Sequence, residues 1–192
     1  MLDFEYVNNG RKGKTLASNL RTFIGIPISE EILVPWKSRL HRMGIDNVLS
    51  QLHITLVFIG NLDQRQIQRL DGLLQQIKFP AATLTFAASG HFCVKRKPIL
   101  WAGVARTAPL MRLWQQIVAC VKQVTEFDDQ QSFVPHISLT RNVSFTETEL
   151  AEVHQQLRSL QAQIQVTEFG LYHSCLTAQG AKYECMAIYN SF

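Results

Sequence analysis

Two short motifs of the same type have side chains suited to acid–base chemistry. His53 is followed two residues later by Thr55, and His136 is followed two residues later by Ser138. The ordinary pKa of histidine is near ~6.5, so one ring of a pair can accept a proton while the other donates one at neutral pH. Two hydroxyls can donate hydrogen bonds to the non-bridging oxygens of a phosphate, where negative charge concentrates in the transition state. Together the four side chains predict a phosphodiester-cleaving site that needs no metal.

The spacing of each motif favours a strand. Side chains two residues apart in a strand share a face, so each imidazole and its hydroxyl would lie roughly 6–7 Å apart. Ile54 and Ile137 would then point into a core. One such motif is a weak signal, since a histidine in a strand is more often structural. Two motifs, each opening an apolar strand, favour a function, and strands lying side by side would line one cleft with both pairs.

The elements around the motifs form a repeated order of strand, helix, motif strand, helix and strand. Pro35, inside the first predicted helix, indicates a kink or a later start. The apolar periodicity predicts strands at 22–28, 53–59, 83–92, 99–105, 136–140, 166–173 and 183–189, and helices at 29–43, 63–78, 109–125 and 147–161.

The helix that follows each motif begins at the same offset. Asp63 comes ten residues after His53, and Thr146 comes ten residues after His136. Both are good N-cap residues, and Gln66 and Glu149 stand where a capping box requires them. This shared offset predicts two copies of one unit, with lobe-forming halves at about 21–98 and 99–192.

The composition is that of an ordinary globular chain. Of the 192 residues, 46% are hydrophobic and 18% are charged, and the net charge is +4. This modest positive charge is compatible with a phosphate-bearing ligand but is more often only a solvated surface. Residues 1–20 are predicted to be a polar leader before a single domain at 21–192. No apolar run reaches the ~20 residues of a membrane span, so we expect a soluble cytoplasmic protein.

The cysteines and acidic residues give no metal-site pattern along the chain. The four cysteines form no CxxC pair and have no zinc-site spacing with histidine, so they are expected to be reduced thiols. Asp128 and Asp129 are adjacent but lie in a predicted loop. We therefore expect no metal and no cofactor.

Six segments spread from residue 21 to the end of the chain carry a family resemblance. The motif segments are 52–60 (LHITLVFIG) and 135–141 (PHISLTR), and the supporting ones are 21–26, 100–104, 171–174 and 180–183. In these segments the chain resembles the two-histidine phosphoesterases, most closely the LigT-like RNA 2′,3′-cyclic phosphodiesterases, formerly called 2′-5′ RNA ligases. The resemblance implies an α+β, bilobal fold of duplicated β-α-β-α-β units with pseudo-twofold symmetry. Antiparallel sheets would surround a central cleft, with the helices outside.

The resemblance also implies a reaction and roles. Water would attack a 2′,3′-cyclic phosphate and leave a 2′-phosphomonoester. His53 would donate a proton to the leaving oxygen and His136 would activate water, although the sequence alone leaves that assignment open. Thr55 and Ser138 would hold the phosphate, with Arg141 adding a charge-assisted contact. Two departures from the family pattern are Ser138, where threonine is commoner, and segment 126–133, which lacks the usual Gly-Phe and basic residues.

Further substrate contacts are predicted around the motifs. Aromatic side chains of the strands can stack on a base, and the basic run before Pro98 can neutralise RNA phosphates or simply be a solvated hairpin tip. The candidates are Phe23, Phe58, Phe92, Trp101, Lys95, Arg96 and Lys97.

The predicted partners are RNA ends or small nucleotides with a cyclic phosphate, bound by a monomer. Two alternatives stay open: a phosphodiesterase for 2′-5′ oligonucleotides or small cyclic nucleotides, and a non-catalytic RNA-binding module. Of the other histidines, His41 and His154 are expected to be solvated on helices. His91 and His173 are expected at strand ends, where they could flank the cleft.

Overall fold

The computed structural model describes residues 19–94, 97–128, 132–141, 145–158, 163–178 and 180–192. Within these ranges the chain forms strands and helices in the predicted order, with one additional strand. The strands are β1 (Leu20–Pro27), β2 (His53–Leu62), β3 (Ala82–Val94), β4 (Lys97–Val104), β5 (His136–Arg141), β6 (Gln163–Val166), β7 (Glu168–Thr177) and β8 (Gly180–Asn190). The helices are α1 (Glu30–Arg42), α2 (Gln64–Leu74), α3 (Ala108–Lys122) and α4 (Glu147–Arg158).

The two motif strands lie at the centre of one antiparallel sheet. The strand order is β6-β3-β4-β5-β2-β1-β7-β8, so β5 and β2 are neighbours. The β3–β4 hairpin lies on the His136 side, and β1, β7 and β8 lie on the His53 side. The prediction of an α+β fold with antiparallel strands is confirmed. The predicted lobe boundary near residue 98 falls inside the β3–β4 hairpin, whose strands pair directly with each other.

The helices cover one face of the sheet and bury it. Ile54 and Ile137, between the histidine and hydroxyl of each motif, are fully buried in the core, as predicted. Trp36 of α1 packs on Phe86 of β3, with ring centroids 4.3 Å apart. Because side chains alternate along a strand, this burial leaves the motif histidines and hydroxyls on the opposite face.

Both predicted helix caps are present. Gln66 N donates to Asp63 Oδ1 at 2.8 Å, and Asp63 N donates back to Gln66 Oε1 at 2.9 Å. Thr146 N donates to Glu149 Oε2 at 2.8 Å, and Glu149 N donates to Thr146 Oγ1 at 3.2 Å. The two reciprocal pairs fix where α2 and α4 begin.

Of the two interpretations of Pro35, the later start is excluded, because α1 already begins at Glu30 and continues past the proline to Arg42. One prediction about element boundaries is wrong. The strand predicted at 166–173 is two strands, because the chain changes partners at Thr167. Before this residue β6 pairs with β3, and after it β7 pairs with β1 and β8.

The first strand begins one residue earlier than the predicted domain. Leu20, the last residue of the predicted leader, is the first residue of β1, and residues 1–18 lie outside the described ranges.

Among the described helices, none is both long and apolar enough to cross a membrane.

Candidate active site

The register of β2 and β5 brings the two motifs together. These strands pair antiparallel with Ile54 opposite Ile137. One step along each strand from this pair, His53 lies across from Ser138, and Thr55 lies across from His136. Paired residues in an antiparallel sheet share a face, so all four side chains lie on the face away from the core. The face lined by these four side chains is the candidate cleft.

A β-bulge follows each hydroxyl at the same position. The register of β2 against β1 skips Leu56, and the register of β5 against β4 skips Leu139. Each is the third residue after its histidine. Both residues of each bulge point inward: Leu56 with Val57, and Leu139 with Thr140, are all buried.

The bulges return the fifth residue after each histidine to the cleft face. On β2 this residue is Phe58, which pairs with Phe23, and on β5 it is Arg141. Strict alternation from His136 would have turned the side chain of Arg141 to the core face. The bulge is therefore what places the predicted phosphate-binding arginine beside His136 and Ser138.

Each histidine is held by a backbone carbonyl two residues before it. His53 Nδ1 lies 3.1 Å from the carbonyl oxygen of Gln51, and His136 Nδ1 lies 2.8 Å from that of Val134. A carbonyl only accepts, so each Nδ1 carries the proton and donates it. Nε2 is then the nitrogen left for chemistry at both rings, accepting a proton when neutral and donating when charged.

Aromatic rings enclose His53. The centroid of its ring lies 4.9 Å from that of Phe23 and 4.8 Å from that of Tyr183, which meets it edge-on. Phe23 also stacks on Tyr172 at 5.1 Å. A side chain at Gly25 would contact both Phe23 and His53, so this glycine leaves the space that the two rings occupy. Only the strand order, which places β7 and β8 beside β1, brings Tyr172 and Tyr183 to the motif.

The side chain of Gln51 fastens β8 to the segment before β2. Its Nε2 donates to the carbonyl oxygen of Tyr183 at 2.9 Å, and its Oε1 accepts from the Tyr183 N–H at 2.9 Å. Its own carbonyl holds His53. Gln51 thus positions both the catalytic candidate and the tyrosine that packs on it, a role with no signal in the local sequence pattern.

The surroundings of His53 lower its pKa. Burial is the largest cause, and the charges of Arg141 and His136 act in the same direction, against the hydrogen bond to the Gln51 carbonyl, which raises it. His136 and Arg141 lie on the neighbouring strand and share the cleft face with His53, so their charges act on it. In the free protein His53 is therefore more readily neutral than an ordinary histidine.

His136 is walled by a different pair of rings. Phe92 meets it edge-on at 5.5 Å, and Trp101 lies 6.0 Å away at a tilt. Trp101 lies against the backbone of Gly90, where an added Cβ would come within 2.2 Å of the indole. Trp101 pairs with Ser138 and so shares the cleft face, and its role in base stacking stays a prediction.

The other predicted substrate contacts have different environments. Phe58 is 47% exposed, and the guanidinium of Arg21 lies 4.7 Å above its ring, whereas Phe23 is only 3% exposed beneath the tyrosines. Phe92 is exposed beside His136. Lys97 is the first residue of β4, and Lys95 and Arg96 lie outside the described residues.

The remaining histidines lie away from the motifs. His41 is exposed on α1 and paired with Asp46, as expected for a solvated residue. The prediction that His154 is solvated is wrong, because it is half-buried between α4 and β3, where Nδ1 lies 3.1 Å from Ser89 Oγ and the ring stacks on His91. His173 is inside β7, next to Cys175 and Glu184. This last group was missed because its members come from two strands.

Comparison with known proteins places this arrangement in a family. The family model of the 2′-5′ RNA ligase superfamily matches residues 45–174, a span that contains both motif strands. The chain belongs to this superfamily. Among curated proteins, the superfamily member described here is 27% identical over 176 residues to the RNA 2′,3′-cyclic phosphodiesterase of Thermotoga maritima, covering 87% of this chain and 93% of that protein. It is 25% identical to the protein of the same name from Archaeoglobus fulgidus over 177 residues, 88% of this chain and 99% of that one.

Solved structures show that the superfamily fold is shared. Escherichia coli LigT in its apo form superposes with a TM-score of 0.67 at 20% identity, covering 91% of this chain and 98% of that chain. LigT complexed with phosphate gives a TM-score of 0.65 at 22% identity, with the same coverage. At these identities the likeness establishes the fold of the chain alone.

Proposed function

We propose that this protein hydrolyses RNA 2′,3′-cyclic phosphate ends to 2′-phosphomonoesters by a two-histidine mechanism that needs no metal. The register of β2 and β5 carries the proposal, because it sets two histidines and two hydroxyls across from one another on one face. The RNA 2′,3′-cyclic phosphodiesterases to which the chain is similar support the choice of substrate.

In the proposed reaction His136 takes a proton from water through Nε2, and the resulting nucleophile attacks phosphorus. The bond from phosphorus to the 3′-oxygen breaks, and His53 gives its Nε2 proton to that oxygen. The Nδ1 hydrogen bonds to the carbonyls of Gln51 and Val134 keep both Nε2 atoms available for these transfers. Each turnover leaves the proton on the opposite histidine, and exchange with solvent resets the pair.

The lowered pKa of His53 bears on its role as the acid. In the free protein it reduces the fraction of His53 that carries a proton at neutral pH. A bound phosphodiester anion between the rings favours the charged form and opposes this reduction. A histidine of lowered pKa is also the stronger acid once protonated, which suits transfer to a poor leaving group.

The phosphate would be held by the hydroxyls of Thr55 and Ser138 and by the guanidinium of Arg141. All three are on the cleft face, two by strand alternation and one by the bulge at Leu139. Phe58 and Phe92, both exposed, are the proposed base-stacking contacts. Phe23 is enclosed by other rings, so its proposed contribution is to support His53.

The matching bulges support the proposal that β2 and β5 descend from one duplicated unit. In each strand the histidine, the hydroxyl and the bulge have the same spacing, and the following helix begins with a capping box. The proposed pseudo-twofold axis would pass between Ile54 and Ile137, with the cleft on it.

The test is hydrolysis of a short RNA ending in a 2′,3′-cyclic phosphate, with EDTA present. Wild type should release the 2′-phosphomonoester, and the His53→Ala/His136→Ala variant should not. His41→Ala is the matched control, because His41 is an exposed histidine on α1. Equal rates for wild type and the double variant would exclude the two-histidine mechanism.

The alternative substrates use the same cleft. Product analysis with a 2′-5′ linked oligonucleotide and a small cyclic nucleotide at equal concentration separates them from the cyclic RNA end, which is expected to have the highest kcat/KM. Salt-dependent RNA binding without turnover of any substrate would instead identify the chain as a binding module.

A further inference from the structure

Three metal-ligating side chains meet on the β7–β8 hairpin. His173 Nδ1 lies 3.2 Å from Cys175 Sγ and 3.7 Å from Glu184 Oε2. One ligand atom from each residue lies within 4.8 Å of the other two. We call His173, Cys175 and Glu184 the hairpin triad.

Strand geometry explains why these residues meet. His173 and Cys175 are two residues apart on β7 and so share a face. Glu184 of β8 is directly opposite His173 in the antiparallel register. The three Cβ positions are therefore fixed by the ladder of the hairpin and do not depend on a loop.

The triad is on the opposite face of the sheet from the cleft. His173 pairs with the buried Thr22 of β1, which points to the core face. Tyr172 and Tyr183, the sequence neighbours of His173 and Glu184, point the other way and pack on Phe23, and Tyr183 also meets His53. The triad therefore lies directly behind the rings that enclose His53.

The donors match what zinc prefers. An imidazole nitrogen, a thiol sulfur and a carboxylate oxygen are its three usual protein ligands, at about 2.0–2.3 Å from the ion. Around a tetrahedral ion such ligands lie roughly 3.5 Å apart, and the two distances measured from His173 Nδ1 fall on either side of that value. Cys175 Sγ is also 3.8 Å from His173 Nε2, so the sulfur lies against the ring, and binding a shared ion would require a rotation about the Cβ–Cγ bond that turns Nδ1 toward it.

We propose that the hairpin triad binds one divalent transition-metal ion, zinc by its donor set, which ties β7 to β8 behind Tyr172 and Tyr183. Three protein ligands leave a fourth position for water. Lys182, opposite Cys175, is the cation that opposes binding, and it is exposed and able to turn into solvent. The site shares no ligand with the cleft, so the proposed hydrolysis does not depend on it.

Binding must displace a proton from the thiol. Zinc binds the thiolate and not the thiol, so the proton leaves Cys175 when the ion binds.

The test is a Co²⁺ titration of the untagged, chelator-treated full chain. Wild type should bind one equivalent and show the near-ultraviolet charge-transfer absorption of a thiolate bound to Co²⁺, which added Zn²⁺ removes. In Cys175→Ser that absorption should disappear and binding should weaken at least about tenfold, as expected when a metal loses a ligand. His173→Ala and Glu184→Gln should weaken binding similarly.

Cys185→Ser is the matched control, because Cys185 is an exposed cysteine of β8 that pairs with Tyr172 and faces away from the triad. Circular dichroism of the metal-free proteins verifies that each variant is folded, and the exposed Glu184→Gln change is the mildest of the set. Absence of the absorption from wild type, or its persistence in Cys175→Ser, overturns the proposal. All readouts are independent of RNA hydrolysis.

Discussion

The two motif strands present the same kinds of side chain to the cleft until the fifth residue after the histidine, where they differ. Both β2 and β5 present a histidine and a hydroxyl to the cleft, and both then bulge inward. After the bulge β2 presents Phe58, whereas β5 presents Arg141. The shared part holds the groups that, in the proposed mechanism, move protons and bind phosphate oxygens. The fifth position gives one side of the cleft an apolar ring and the other a fixed positive charge.

The aromatic rings around the two histidines also differ between the strands. Phe23 and Tyr183 enclose His53, and burial lowers its pKa. His136 has the more open wall of Phe92 and Trp101. The proposed mechanism needs one acid and one base, and this difference in surroundings distinguishes the two imidazoles.

The largest predicted effect tests whether the two strands act as one unit. His53→Ala and His136→Ala should each lower kcat/KM roughly 10²- to 10⁴-fold, the usual contribution of a general acid or base. The double variant should be little worse than the poorer single variant, because residues of one proton-transfer pair are not additive. Initial rates on the cyclic-phosphate RNA measure this. Independent losses that multiply in the double variant would mean that the strands act separately.

The second prediction is that the hydroxyls of Thr55 and Ser138 contribute equally to activity. Thr55→Val and Ser138→Ala each remove one hydrogen-bond donor to the phosphate, and each should lower kcat roughly 10²- to 10³-fold. Ser138→Thr, which makes the two motifs identical, should retain most of the activity. A strong loss of kcat from only one of the two substitutions would contradict the proposal that both hydroxyls bind the phosphate.

Replacing Arg141, the fifth residue after His136, should change the pH profile of kcat/KM. Arg141→Gln removes a charge that lowers the pKa of His53, so that pKa should rise in the free protein. If His53 is the acid, the alkaline limb of the kcat/KM profile moves to higher pH, and if His53 is the base, the acidic limb moves instead. The variant should also lose roughly 10- to 100-fold in kcat/KM with its charged hydrogen bond.

Arg141→Lys is the control for this experiment, since it keeps the charge and loses the forked geometry. Its limbs should stay at the wild-type positions even if its rate falls. A shift of the same size in both variants would mean that charge at this position does not act on His53.

A smaller difference in kcat/KM is expected from substitutions two residues before each histidine. Gln51→Ala removes both side-chain bonds to Tyr183 and should lower kcat/KM about tenfold, equivalent to about 1.4 kcal/mol. Val134→Ala, the equivalent change before β5, should leave kcat/KM unchanged, because Val134 is 54% exposed and holds His136 only through its carbonyl. Equal effects would mean that the Tyr183 contact does not position His53.

The smallest effect concerns the second bulge residue. Thr140 is fully buried, and within the described residues its Oγ1 has no hydrogen-bond partner, whereas the equivalent residue of β2 is Val57. Thr140→Val should raise the free energy of unfolding by about 1 kcal/mol, and Val57→Thr should lower it by about 1–3 kcal/mol. Urea denaturation measures both. A destabilised Thr140→Val variant would indicate a partner for that hydroxyl.

Local patterns in the sequence predict the parts of this site that depend on neighbouring residues. Apolar alternation predicts the motif strands, and the side chains of Asp63 and Thr146 predict where α2 and α4 begin. The bulges leave only a faint signal, since Leu56 and Val57 break the alternation just as any fully buried strand would. The contact of Tyr183 with His53, and the hairpin triad, depend on which strands become neighbours, and this is decided by packing of the whole sheet.

The pairing of Ile54 with Ile137 has a consequence for how this protein can fail. If β2 slipped by one residue against β5, Ile54 would turn into the cleft and His53 would turn into the core. A slip of two residues would keep the faces but separate each histidine from its opposite hydroxyl by about 7 Å. No intermediate register exists between these states. Substitutions that weaken the pairing of β2 with β5 should therefore reduce the fraction of active molecules, while each active molecule keeps the normal turnover number. Active-site titration would measure that fraction.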